Sequence, residues 1–331
     1  MTGTPRAVIF GCEGLRLSRA ERVLFSRAQP WGAILFARNV MSPVQVCALT
    51  SELRDAVGRD LPVLIDQEGG RVQRLCPPHW RAWPPALEQG EQAPAEAMRL
   101  RGQIIAAELR ALGIDVNCAP LADIARPETH AILRNRCYGT SLAQVVRNAR
   151  NMAEGLLCGG VLPVLKHIPG HGRATRDSHL ALPVVEAPHA ELAASDFAAF
   201  AALCDLPLGM TAHLVYRDID PVWPATLSSR MIGLIREEIG FEGLLMTDDI
   251  SMQALDGPVE TRAGAALAAG CDLVLHCNAD PAEMEALAET CPRLQGTALA
   301  RSERALRRRP APAQVDLAAL EAAYAELMVR A

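Results

Sequence analysis

The stretch Val161-Leu162-Pro163-Val164-Leu165-Lys166-His167-Ile168-Pro169-Gly170-His171-Gly172 joins a short apolar run to a segment crowded with ionisable groups, and Asp177-Ser178-His179 follows closely. The chain has 8 histidines in 331 residues, so His167, His171 and His179 form a local concentration. The apolar run reads as a buried strand, and the two glycines and a proline after it read as a loop. Loops that follow buried strands are where enzymes of the α/β class keep reactive side chains.

Working outward, the same unit recurs along the chain. Strands are expected at Ala7 to Phe10, Gly32 to Phe36, Pro62 to Ile65, Asp115 to Cys118, Val161 to Leu165, Leu208 to Thr211, Leu244 to Thr247 and Leu273 to His276. Helical patterns fill most of the gaps. Ser42-Pro43 supplies an N-cap and a first-turn proline for a helix that can run to Gly58, and Ser228 caps a helix ending at Gly240. Strands alternating with helices imply parallel pairing with right-handed crossovers, and eight such units close a barrel. The expected fold is therefore α/β, a single (β/α)8 TIM barrel forming one domain over residues 1–331, with C-terminal helices from about 280. An open doubly wound sheet is the alternative architecture.

Composition narrows the partners. Half of the residues are hydrophobic and only 4% aromatic, which suits helices packed around a buried sheet. A formal charge of -5 leaves no electrostatic footprint for nucleic acid or an anionic membrane, so a small soluble ligand fits better. The one basic run, Arg301, Arg304, Arg307, Arg308 and Arg309, is expected to form the solvated face of a terminal helix. Ten cysteines with no CxxC pair do not make a zinc or disulfide framework. Reduced thiols in apolar stretches, no signal-peptide core and no apolar run of membrane-spanning length place the chain in the cytoplasm. No cofactor is implied, and oligomeric state is not readable.

A barrel requires its reactive groups at the C-terminal ends of the strands. Asp66 and Glu68 follow the third expected strand and Asp123 the fourth. Lys166 and His167 follow the fifth, His213 the sixth, and Asp248 and Asp249 end the seventh. Charges abutting apolar runs are costly unless used or paired; the alternative is that they cap helices or pair with arginines. The cluster His167, His171, Asp177 and His179 could also hold a divalent metal for hydrolysis. Against that reading, His-x-x-x-His ligation needs both rings on one helix face, and Pro169, Gly170 and Gly172 oppose a helix.

Taken together, Gly32 to Asn39 (GAILFARN), Ile65 to Arg74 (IDQEGGRVQR), Lys166 to Gly172 (KHIPGHG), Asp177 to His179 (DSH) and Met246 to Met252 (MTDDISM) resemble glycoside hydrolase family 3. They are most similar to its short bacterial branch, the β-N-acetylglucosaminidases of peptidoglycan recycling. The resemblance spans roughly residues 10 to 280, with the motifs in order. The large β-glucosidases of the family carry their acid/base on a second domain, which this chain is too short to include.

The resemblance implies a (β/α)8 barrel and a retaining exo-β-N-acetylglucosaminidase that removes terminal non-reducing β-linked GlcNAc from GlcNAc-anhydroMurNAc muropeptides. Asp248 would be the nucleophile forming a covalent glycosyl-enzyme, and Asp249 a supporting residue. His179 would be the acid/base, with Asp177 orienting it much as an aspartate orients the histidine of a hydrolytic triad. Asp66, Arg74, Arg136, Lys166 and His167 would bind the sugar ring, with Arg134 competing for the place of Arg136. His171 is expected to shape its loop, and Glu68 to tie the Gly69-Gly70 turn to its neighbours. Two readings stand beside hydrolysis: a phosphorylase, in which phosphate resolves the intermediate, and a sugar-binding relative without turnover.

Overall fold

A computed structural model describes residues 3–176, 182–309, 311 and 316–329. Eight parallel strands form a closed barrel: β1 Arg6–Gly11, β2 Pro30–Leu35, β3 Val63–Ile65, β4 Val116–Asn117, β5 Leu162–Ile168, β6 Leu208–Thr211, β7 Leu244–Asp249 and β8 Leu273–His276. Each strand pairs with its sequence neighbour, and β1 closes on β8 with Val8 opposite Val274. All eight expected strands are present, and the barrel stands in place of the open-sheet alternative. The larger shifts are at β5, which continues through Lys166 and His167 to Ile168, and β7, which continues to Asp249. Those ionisable residues therefore belong to strands rather than to loops.

Helix boundaries follow local chemistry. Ser42 accepts from the Gln45 N–H ahead of Pro43–Val57, and Gly58 ends that helix at φ +67°. Ser228 caps Ser229–Glu237 by accepting from Met231 N–H. That helix stops before the expected Gly240, because the N–H groups of Glu238 and Ile239 both turn back to the Leu234 carbonyl, and Gly240 follows at φ +77°.

Successive strand residues face opposite sides. One set, including Val8, Phe10, Val63, Ile65 and Leu245, packs outward against the helices. The other set fills the barrel: Ile9, Ile34, Leu64, Val116, Leu162, Val164, Leu208, Met210, Leu244, Met246, Leu273 and Leu275. The lower mouth is sealed by Trp31, whose indole N–H donates to Ser302 Oγ at 2.7 Å, and by Leu294 and Ala305. The Gly296–Arg307 helix thus plugs the barrel floor.

The expectation of a solvated arginine face is corrected at Arg301 and Arg309 and holds for Arg304, Arg307 and Arg308. Arg301 pairs with the buried Asp272 at 3.2 Å, Arg309 pairs with the buried Asp115, and Arg304 and Arg308 donate to the Glu242 and Asp205 carbonyls. Arg304, Arg307 and Arg308 remain exposed, Arg307 with 70% of its side chain. The strand-entry aspartates Asp115 and Asp272 thus recruit the two ends of the run, Arg309 and Arg301. Among the described residues no helix is long and apolar enough to cross a membrane.

Candidate active site

The inward-facing rows decide what reaches the upper mouth. Leu64 is followed two positions on by Asp66, Val164 by Lys166, Met246 by Asp248, Ile34 by Phe36 and Leu275 by Cys277. Each step carries the alternation one residue past the apolar filling. All of these upper residues line one cleft of about 490 Å³, together with Arg38, Arg71, Arg74, Arg136, His167, His171 and Asp249. Ile34, Met210 and Leu275 lie at its apolar base.

One wall is a saturated charge network. Lys166, 2% exposed, places Nζ 2.8 Å from Asp66 and 2.6 Å from Glu68. Arg136 holds Glu68 through two bonds of 2.8 Å, and Arg74 donates to the second Asp66 oxygen at 3.2 Å. The chain returns to Asp66 because Gly69 and Gly70, at φ +107° and +57°, reverse it between the paired segments Gln67–Gly69 and Val72–Gln73. Burial alone would push both carboxyls up, but the Lys166, Arg74 and Arg136 cations hold Asp66 and Glu68 below the usual carboxylate range. Burial likewise disfavours the Lys166 ammonium, and the two carboxylates outweigh it and raise its pKa.

The opposite wall is sparsely paired. Asp248 accepts from Asp249 N–H at 2.8 Å, and among the described residues its carboxylate has no other hydrogen bond or ion pair. Burial pushes its pKa up, yet the neighbouring His167 and His213 rings, that N–H and Lys166 bring it below the ordinary value. Asp249 is tied differently: it accepts from Ser251 N–H and Oγ and from Cys277 N–H at 3.1, 2.7 and 3.1 Å, which fastens the β7 loop to β8. His213 donates from Nε2 to the Asp249 carbonyl at 3.0 Å, and its Nδ1 lies 2.7 Å from Thr226 Oγ1. Burial lowers its pKa.

Between the two walls, Asp123 fixes the β5 exit. Its carboxylate accepts from His167 Nδ1 at 2.8 Å and from His171 N–H at 2.6 Å. His167 keeps Nε2 for a ligand, and the His171 ring meets it edge to face at 5.5 Å. Burial, with His167 beside it, lowers His171 to about 4, so it is neutral near pH 7.

Of the residues singled out from sequence, Asp66, Arg74, Arg136, Lys166, His167 and Asp248 converge on this cleft, whereas Asp177 and His179 lie outside the described residues. Arg134 turns away to the Arg126 carbonyl, which leaves the cleft to Arg136. Glu68 is not a mere turn anchor, since its carboxylate ties Lys166 to Arg136. Asp123 was noted only as a strand-end charge, and Arg38 was missed. Arg38 stacks on Phe36 at 4.8 Å and donates to the Cys12 and Cys277 carbonyls; the row Ile34, Phe36, Arg38 was the signal that could have found it. Among the described residues no three His, Cys, Asp or Glu groups are placed to share a metal ion, and Asp123 already occupies His167 Nδ1.

An acceptor–donor wall facing an under-paired carboxylate suits a hydroxyl-rich ligand and nucleophilic chemistry. Comparison with known proteins agrees in kind. A beta-hexosaminidase of Alkalilimnicola ehrlichii is 40% identical over 82% of this chain and 80% of its own length. The structure of a glycoside hydrolase family 3 beta-N-acetylglucosaminidase from Paenibacillus superposes with a TM-score of 0.86 at 31% identity, covering 98% of this chain, which spans 66% of that one. NagZ from Neisseria gonorrhoeae, in complex with N-trifluoroacetyl-D-glucosamine, superposes with a TM-score of 0.85 at 29% identity over 98% of both chains. The Glycosyl hydrolase family 3 N terminal domain matches residues 9–308, and with that span the chain belongs to glycosyl hydrolase family 3 and is a glycoside hydrolase.

Proposed function

We propose that the protein is a retaining exo-β-N-acetylglucosaminidase. The observation that carries this reading is the pairing of the two walls. Asp248 is half-buried, ionised and bound by one amide, and it faces a ring of donors and acceptors held rigid by their own ion pairs. The Paenibacillus relative is a beta-N-acetylglucosaminidase and that of Alkalilimnicola ehrlichii a beta-hexosaminidase, which supports the reading.

In this reading the terminal N-acetylglucosamine lies over the apolar base. Its hydroxyls donate to Asp66, accept from Lys166, Arg74 and Arg136, and bond His167 Nε2. Asp248 attacks the anomeric carbon and forms a glycosyl ester as the bond to the leaving oxygen breaks. The imidazolium of His179 gives its proton to that oxygen, then as imidazole takes one from the water that hydrolyses the ester. Asp177 sets the tautomer of His179 and stabilises its cationic form. The aglycone we assign is an anhydromuramoyl unit with its peptide, which places the enzyme in cytoplasmic cell-wall recycling as a single catalytic domain.

The test is release of a chromogenic phenol from its β-N-acetylglucosaminide by wild type, D248A and H179A, with and without EDTA and phosphate. Chelator-insensitive turnover to free sugar, lost in D248A, supports the proposal. A sugar 1-phosphate product would replace it with phosphorolysis, and inhibition by EDTA would replace it with metal-assisted hydrolysis. GlcNAc-anhydroMurNAc cleaved more slowly than a chitooligosaccharide would remove the muropeptide assignment.

A further inference from the structure

The helix Leu317–Val329 lies beyond the family match at 9–308, yet three side chains connect it to the cleft's charge network. Tyr324 is 6% exposed and its hydroxyl donates to Gln89 Oε1 at 3.0 Å. The same oxygen accepts from Arg101 Nη1 at 2.7 Å. Arg101 is fully buried and has no carboxylate partner among the described residues. Its Nη2 donates to the backbone carbonyls of Glu68 and Pro84. The Trp83 ring lies 5.3 Å from the guanidinium carbon, and the Tyr324 ring packs edge-on to Trp83 at 5.2 Å.

A buried guanidinium spends its Nη donors on nearby oxygen atoms, and those atoms are held in return. Here the held atom is the main-chain carbonyl of Glu68, whose carboxylate fixes Lys166 and Arg136. Gly69 sits against the guanidinium at φ +107°, and a Cβ there would overlap Arg101 Nη2. The backbone beside Glu68 is thus shaped around this side chain.

We propose that Arg101, held by Gln89 and Tyr324, is a positioning residue for sugar binding: through Glu68 it sets where Lys166 and Arg136 present their N–H groups. The C-terminal helix thereby contributes to substrate affinity without touching substrate. The inference rests on the reading of Lys166 and Arg136 as sugar donors.

Steady-state kinetics of the full chain on an aryl β-N-acetylglucosaminide, with thermal unfolding in parallel, test the relay. Losing one buried hydrogen bond should raise KM about threefold in Y324F, and losing the guanidinium fork should raise it about tenfold in R101K, with kcat within about twofold. Because the relay acts through Glu68, adding Y324F to E68Q should raise KM no further. E321Q breaks the 3.1 Å pair with Arg81 on the same helix and should lower the unfolding midpoint while leaving KM unchanged. A raised KM in K166M with unchanged KM in Y324F and R101K overturns the relay alone, as would multiplicative effects of Y324F and E68Q. An unchanged KM in K166M overturns the donor reading and the relay with it. Y324F, which removes a single hydroxyl, decides the matter should R101K not fold.

Discussion

The two ends of the barrel treat their strand-end aspartates in opposite ways. At the lower end Asp115 gathers Arg54, Arg110 and Arg309 and accepts from Val63 N–H, while Asp272 gathers Arg236 and Arg301 and accepts from Leu245 N–H. At the upper end Asp248 accepts one amide and has no other hydrogen bond or ion pair among the described residues. Saturation serves the fold, because removing one member of a buried pair strands the other. Under-saturation serves chemistry, because an ionised carboxylate with few partners can still attack. Asp66 lies between these extremes: its charge is balanced by Lys166 and Arg74, yet at 15% side-chain exposure it faces the cleft.

The contrast can be broken by substitutions at either end. The largest effect is expected for D248A, with kcat/KM down by about 10³-fold or more and no fall in unfolding midpoint; loss of folding instead would show that Asp248 is structural. D115A should do the reverse, costing about 3–5 kcal/mol in urea unfolding while turnover per folded molecule stays near wild type. K166M, between the two, should lower kcat/KM by about tenfold to hundredfold by removing charged donors. A variant with full affinity for N-acetylglucosamine would mean that the Asp66 wall does not bind sugar.

A pH profile sharpens the same contrast. Asp248 is held below the ordinary carboxylate value, so its active, ionised form is complete above that value and is lost only as pH falls through the depressed pKa. The acid limb of kcat/KM should therefore lie below about pH 4. A limb above pH 5 that reports the nucleophile would contradict the arrangement of His167, His213 and Asp249 around it. The smallest effect is expected far from both ends: S42A should cost about 1 kcal/mol by removing the cap on Pro43–Val57 and leave kinetics unchanged.

The barrel was legible because its strands are short apolar runs with turn chemistry between them, and the caps at Ser42 and Ser228 could be read directly. The site was legible where a polar residue extends an inward row, as Asp66, Lys166 and Asp248 do. Other features depend on contacts remote in sequence. Glu68 acquires its place from Arg136 and Lys166, and Arg309 and Arg301 find their partners at Asp115 and Asp272. Arg134 and Arg136 are equivalent by composition, and only the end of the short helix Ala131–Arg134 separates their directions. The Arg101 relay was invisible for the same reason, since Tyr324 meets Gln89 across most of the chain.

The most direct test of Asp248 as nucleophile is to trap the glycosyl-enzyme with 5-fluoro-β-N-acetylglucosaminyl fluoride and map the labelled peptide by mass spectrometry. The expected result is a single sugar adduct on Asp248. An adduct on another carboxylate, or release of the α-anomer as first product without any adduct, would contradict it.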